Sequence, residues 1–269
     1  MSICISDITF AYSKDKSVLS GINISIPKGE TLAIVGASGC GKSTLLRLIS
    51  GILPKNQSDT FTGKISIDGL IPNEYIKKGK LAFMFQEATL MPNLTVRENI
   101  ALPLKIKGSF SYESVDSLIQ TVGLTEYSDY LPKQLSGGMK TRVALARSFV
   151  TNPELLLLDE PFSALDIAWK SKLYIELEKL REQYNTTVVI VTHDVQEALL
   201  LANNISVFSK NGTILSSHNI KSNKTISERV NDITDFMSEV YSEYMLPIQD
   251  AIINDKITEN EKRDNLYFA

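Results

Sequence analysis

Apolar and polar positions along the 269 residues fall into three regimes. Near Ile3–Phe10, Ile22–Ile26 and Gly63–Ile67 they alternate, which predicts half-buried antiparallel strands, with Gly29-Glu30 and Asp68-Gly69 as turns. Three other runs, Thr31-Leu-Ala-Ile-Val35, Leu155-Leu-Leu-Leu158 and Thr187-Val-Val-Ile-Val-Thr192, are apolar almost throughout. A strand apolar on both faces belongs in a parallel sheet covered from both sides. From Ser111 to Val150 the spacing turns helical, first through Leu118, Ile119, Val122 and Leu124 and later through Val143, Ala144, Leu145 and Ala146, so an all-helical insert is expected there. A helix from about Ala168 to Tyr184 follows, and Ile205–Phe208 with Thr213–Leu215, split by Lys210-Asn-Gly212, predicts a closing hairpin. The pattern is that of an α/β chain.

The run ending at Val35 leads into Gly36, Ala37, Ser38, Gly39, Cys40, Gly41, Lys42, Ser43 and Thr44, and Leu45-Leu-Arg-Leu-Ile49 follows with helical spacing. A strand, a glycine-rich loop and a helix start in this order form a phosphate cradle. Glycines let successive backbone N–H groups turn inward, and the helix opening near Lys42 aims its positive dipole end at the same anion. Lys42 supplies the cation for the outer phosphates, and Ser43 the hydroxyl that ligates the bridging Mg²⁺. The loop therefore predicts a P-loop core that holds nucleoside polyphosphate, and leaves open which task that ligand serves.

Charge and cysteine content narrow the task. The net charge of -3 gives no broad cationic face for nucleic acid. No apolar run approaches the ~18 residues of a membrane span, and the start Met-Ser-Ile-Cys lacks the basic and apolar regions of a leader, so the chain is expected not to cross a membrane by itself. Of two cysteines, Cys40 lies inside the phosphate loop, where a disulfide would obstruct the ligand; a reducing, cytoplasmic setting is expected. Residues 218–269 carry six Lys/Arg against ten Asp/Glu, and Ile226, Val230, Ile233, Phe236, Met237, Val240, Tyr241 and Tyr244 follow helical spacing. Thr225 with Glu228 forms a capping box, and Pro247 is expected to end or kink this amphipathic tail helix, beyond which the chain should fray after about Asn254.

Five further elements follow the phosphate loop. Gln86 comes after Leu81-Ala-Phe-Met-Phe85. Leu135-Ser-Gly-Gly-Met139 opens a helix ending Val143-Ala-Leu-Ala-Arg147. Leu155–Glu160 ends in two acids, and Ser163-Ala-Leu-Asp166 and Thr192-His-Asp194 come next. In this order and spacing the chain resembles the ATP-binding subunit of ABC transporters, over residues 1 to about 217. The resemblance implies an ABC ATPase domain over 1–217: a P-loop NTPase core with a mainly parallel sheet, an antiparallel β subdomain and a helical insert at about 88–150, followed by the tail at 218–269.

It also implies roles. Asp159 holds Mg²⁺ together with Ser43; Glu160 is the general base that polarises the attacking water; Gln86 contacts Mg²⁺ and that water through its amide; His193 bonds the γ-phosphate and helps align the water. Ser136, Gly137 and Gly138 make a second anion-binding turn that caps the ATP held by another copy, so that two ATPs are sandwiched in a head-to-tail homodimer, with Asp166 at the same interface. Met139 stands where the family more often has Gln, which removes a side-chain amide and leaves the backbone donors. Tyr12 sits where such proteins stack the adenine. His218, with no matching motif, is expected to be exposed and idle.

Residues 86–104, with the Met139 signature, look most like the ATPases of the nitrate, sulfonate, taurine and thiamine-precursor importers. The resemblance then implies ATP and Mg²⁺ as cofactors, permease subunits and an extracytoplasmic substrate-binding protein as partners, and a peripheral position on the cytoplasmic face of the membrane. Leu90 and Met91 are expected to line a groove for a permease helix, the alternative being that they pack the insert on the core. Two other readings stay open: the ATPase of an exporter, lipoprotein-release or efflux system, and a soluble ABC ATPase of translation or DNA repair.

Overall fold

The computed structural model describes residues 2–13, 17–53, 60–109, 111–220, 224–231, 234, 237 and 244–255. In chain order the elements are β1 (Ile3–Ala11), β2 (Leu19–Ile26), β3 (Thr31–Gly36), α1 (Lys42–Ser50), β4 (Thr60–Ile67), α2 (Pro72–Tyr75), β5 (Leu81–Met84), α3 (Val96–Lys107), α4 (Tyr112–Thr121), α5 (Gly137–Phe149), β6 (Leu155–Asp159), α6 (Ile167–Tyr184), β7 (Thr187–Thr192), α7 (Val195–Leu201), β8 (Asn204–Phe208), β9 (Ile214–Asn219) and α8 (Ile226–Asn231).

The three alternating segments form one antiparallel sheet, β2-β1-β4. The uniformly apolar runs lie in a six-stranded sheet of order β5-β6-β7-β3-β8-β9, parallel except for β9. Every residue of β3, β6 and β7 is buried. The period of two along each strand divides two cores. Ala33, Val35, Leu156, Leu158, Val188 and Ile190 face the side packed by α3 to α7, while Leu32, Ile34, Leu155, Leu157, Val189 and Val191 face α1 and the antiparallel sheet.

The helical region starts earlier than its apolar spacing suggests. The helix α3 opens on Thr95, whose hydroxyl accepts from the Glu98 N–H while the Glu98 carboxylate accepts from the Thr95 N–H. This reciprocal cap is of the Thr-x-x-Glu kind, and the helix carries Pro103 in its interior.

At the other end, β9 runs to Asn219, so a boundary at 217 cuts a strand. His218 is correspondingly neither exposed nor idle: it is half-buried in β9, its Nε2 lies 2.9 Å from the Ser216 hydroxyl, its ring meets Tyr244 edge-on at 6.3 Å, and burial pushes its pKa down. The strand continues because it pairs with β8, His218 standing opposite Ile205. The Thr225–Glu228 box forms as expected and starts α8, which packs on α6 and α7 and buries Arg229 against the Leu199 and Ala202 carbonyls. Pro247 lies within the described helical residues 244–255 and does not end them, residues 244 and 245 just ahead of it being π-helical, and Asp255 accepts from the Lys210 N–H at 2.7 Å. Ile233, Phe236, Val240 and Tyr241 lie outside the described residues, as does the chain after 255, for which the sequence predicts fraying. No helix among the described residues is long and apolar enough to cross a membrane.

Candidate nucleotide site

Strand order brings the motif residues together. Because β5, β6, β7 and β3 are consecutive neighbours and run parallel, their carboxyl ends lie side by side, the edge at which open α/β sheets bind ligands. Gln86 follows β5, Asp159 ends β6, His193 follows β7, and the phosphate loop follows β3.

Within the loop the glycines divide by cause. A Cβ at Gly36 would stand 2.7 Å from the Phe208 carbonyl oxygen, and one at Gly41 would stand 2.7 Å from that of Val18, so these two are required by close backbone packing. Gly39 has nothing within 4 Å and a φ of +80°, so it faces the open side where a ligand approaches. Lys42 is only 5% exposed, and its ammonium donates to the Gly36 and Ala37 carbonyls at 2.9 Å each. Ala37 and Ser38 complete the rim, and the buried Cys40 thiol, 3.8 Å from the Lys42 ammonium, is pushed up by burial. At the far end the Tyr12 hydroxyl lies 3.2 Å from that of Thr44, and its ring sits edge-on against Phe10 while remaining 41% exposed, a partly free face and no core aromatic.

The hydroxyl of Ser43 donates to Asp159 at 2.8 Å. Burial holds the Asp159 carboxyl above its usual range, with the Ser43 hydrogen bond opposing that shift. The next residue, Glu160, has a φ of +47°, a left-handed conformation costly for a side chain with a Cβ, and its N–H donates to Val191 across the strand ends. That turn presents one carboxylate oxygen to two partners: Gln86 Nε2 at 3.2 Å and His193 Nδ1 at 3.3 Å. Residues 74 and 33 positions away in sequence thus meet on one atom.

The His193 loop is braced from behind. The Asp194 carboxylate caps α7, Lys170 of α6 stands 3.8 Å from both Asp194 and Glu197, and the Tyr174 hydroxyl donates to Glu197 at 3.1 Å. Burial pushes the Glu197 pKa up to about 7 from 4.5. The native state keeps this proton where the unfolded chain has lost it, so the stability it contributes is complete below pH 4.5 and is lost as pH rises through about 7. Urea unfolding at about pH 5 and pH 8 should therefore show wild type losing up to ~3 kcal/mol relative to Glu197→Gln as pH rises. A difference independent of pH would mean that Glu197 is charged throughout.

Two supports went unread in the sequence. Asn99, fully buried, binds the main chain of Met91, Leu94 and Thr95, and Arg147 of α5 donates to the Ala88 and Thr89 carbonyls, so the segment after Gln86 is tied to the helical region. Within it Leu90 is half-buried on the core, and Met91 is 45% exposed. The Asn99 signal is an isolated polar residue in an apolar helical face.

The Ser136–Gly138 turn and Asp166 occupy two other helix starts. The Ser136 hydroxyl accepts from the Met139 N–H at 3.2 Å and caps α5; Asp166 accepts from the Trp169 N–H at 3.0 Å and caps α6. Ser136, Gly137 and Asp166 are exposed or half-exposed.

A phosphate loop beside an acid-ended strand, with Glu160, Gln86 and His193 converging next to it, defines a P-loop nucleotide-binding α/β protein with a helical insert. The chain belongs to the ABC transporter family, whose family model matches residues 19–163. It is 41% identical over 230 residues to the aliphatic sulfonates import ATP-binding protein SsuB of Bacillus cereus, covering 83% of this chain and 87% of that protein. Over 199 residues it is 40% identical to the spermidine/putrescine import ATP-binding protein PotA of Thermotoga maritima, covering 73% of this chain and 53% of that longer protein. Among solved structures it resembles the ATP-binding cassette MJ0796 in a dimeric post-hydrolysis state bound to ADP and Pi, with a TM-score of 0.73 and 31% identity, over 82% of this chain and 99% of that one.

Proposed function

We propose that this chain is the ATP-hydrolysing subunit of a membrane importer for a small solute, of the nitrate, sulfonate, taurine and thiamine-precursor group. The observation that carries the reading is the convergence of Gln86 and His193 on Glu160 beside the Ser43–Asp159 pair. Lys42 and the loop N–H groups bind the phosphates of ATP, and Tyr12 stacks the base. Glu160 takes the proton of the attacking water, while His193 and Gln86 orient that carboxylate and the water.

Ser43 and Asp159 bring two hard oxygen donors within 2.8 Å of each other, a set suited to Mg²⁺ completed by phosphate oxygens and by the Gln86 amide. When bound, the ion neutralises charge developing on the phosphates. The described residues hold no cluster of three His, Cys, Asp or Glu that would bind a metal unaided.

The Ser136–Gly138 turn and Asp166 complete the ATP site of a second copy in a head-to-tail homodimer, which agrees with the dimeric cassette the chain resembles. Closure of that dimer is passed to permease subunits by contact, with the chain held peripherally on the cytoplasmic face; a substrate-binding protein delivers the solute to the permease. The importer relatives favour this reading over an exporter or a soluble ABC ATPase.

We infer that Met91 contacts the permease; in support, its side chain is exposed, while Asn99 fixes its backbone to α3. In the assembled transporter, Met91→Glu should reduce solute-stimulated ATPase about tenfold or more while leaving the isolated chain's ATPase within about threefold. Loss of both would indicate misfolding, and loss of neither would place the permease elsewhere.

A further inference from the structure

The two groups assigned to the partner's ATP stand on different helices, Ser136 at the start of α5 and Asp166 at the start of α6. Just behind these caps the helices meet through Arg142 and Trp169. The Arg142 guanidinium carbon lies 3.7 Å from the centre of the Trp169 ring, and the Lys172 ammonium lies 4.8 Å from it.

Arg142 is only 7% exposed, yet its hydrogen bonds go to two carbonyls, Val122 at 2.9 Å and Gly123 at 3.3 Å, and its buried Nε has no hydrogen-bond partner. An aliphatic side chain would fill this space without desolvating a charge. What a guanidinium adds is direction. Its guanidinium lies over an aromatic face while its Nη1 donates to both carbonyls just past the end of α4, so one side chain sets α4, α5 and α6 against each other.

The neighbours are fitted to the ring. A Cβ at Gly123 would stand 2.3 Å from Cη2 of Trp169. Ahead of the stack, a Cβ at Gly138 would stand 3.4 Å from both the Ala164 carbonyl oxygen and Leu165 Cδ2, so the Ser136 turn already leans on the loop that leads to Asp166.

We propose that the Arg142–Trp169 stack is a positioning device for the face that acts on the partner copy: it fixes the Ser136–Gly138 turn relative to Asp166 so that both engage the second copy's ATP together. This rests on the head-to-tail ATP sandwich proposed above. Neither residue belongs to the nucleotide site proposed for its own chain, so disturbing the stack weakens ATP-dependent pairing and spares ATP binding by the monomer.

The test uses the full chain carrying Glu160→Gln, which is expected to retain ATP, with dimer content followed by size exclusion over a range of ATP concentrations. Adding Trp169→Leu or Arg142→Lys should raise the ATP concentration that half-saturates pairing by about tenfold, whereas Trp169→Phe, which keeps an aromatic face, should stay within about twofold of the parent. Binding of a fluorescent ATP analogue at protein concentrations too low for pairing should be unchanged in all of them. Trp169 is the chain's only tryptophan, so its emission should shift in Arg142→Lys and should change in the parent as ATP drives pairing.

A parent that pairs, with both variants pairing at the same ATP concentration, overturns the stack's role and leaves the sandwich intact. Equal loss of monomer ATP binding and of pairing assigns the stack to general packing and also overturns it. A parent that stays monomeric in every nucleotide state sinks the sandwich and this inference with it. Where Trp169→Leu does not fold, as read by circular dichroism, Arg142→Lys decides.

Discussion

Glu160→Gln is expected to leave ATP bound and to slow its hydrolysis by roughly 10²-fold or more. The amide keeps the shape of the side chain and one oxygen for Gln86 and His193, which approach the carboxylate at 3.2 and 3.3 Å, but it cannot take a proton. The left-handed backbone at Glu160, fixed by its N–H on Val191, is untouched, so the loss reports chemistry and not placement. In the proposed sandwich, which hydrolysis would open, the same variant should run as a dimer with saturating ATP and as a monomer without it. Adding Ser136→Arg, which puts bulk and charge on the exposed turn, should return it to monomer. Near-normal turnover by Glu160→Gln would remove Glu160 from the role of base.

Lys42→Ala should act one step earlier, weakening ATP binding by roughly 10²-fold, as read by titration calorimetry. Two losses combine. The phosphates lose a cation held in a nearly dry position, 5% exposed, and the Gly36 and Ala37 carbonyls lose the donor that binds them at 2.9 Å and keeps the loop in its turn. The melting temperature should change far less than the affinity, since α1 keeps its buried face of Leu45, Leu46 and Ile49. Unchanged affinity would mean that the loop N–H groups and the α1 dipole hold the phosphates by themselves.

The phosphate loop is legible in the sequence because its chemistry is contiguous: the strand, the glycines and the helix start lie within 31–49, and each acts through its own backbone. The capping boxes at Thr95 and Thr225 are equally local, though only the second stands out in the sequence pattern, because Pro103 and the mixed polarity of α3 hide the first. Reading the glycines as a phosphate device is incomplete in cause. At Gly36 and Gly41 the demand comes from Phe208 and Val18, which no local pattern places there. The expectation for His218 fails for the same reason, since its burial depends on β8 beside it and on Tyr244 returning from the tail.

By itself, then, the sequence determined the main strands, the helices α1, α4, α5, α6 and α8, the phosphate loop and, through the order of its motifs, the family. These depend on residue spacing of two to four positions, where backbone preference and side-chain periodicity act directly. The tertiary structure decided which of those residues share an atom: Gln86, Glu160 and His193 meet because β5, β6 and β7 are neighbours with parallel carboxyl ends, and Arg142 reaches Trp169 because α5 and α6 meet behind their caps. Such meetings rest on strand order and helix packing, which are set by burial of the whole sheet on both faces and not by any segment alone.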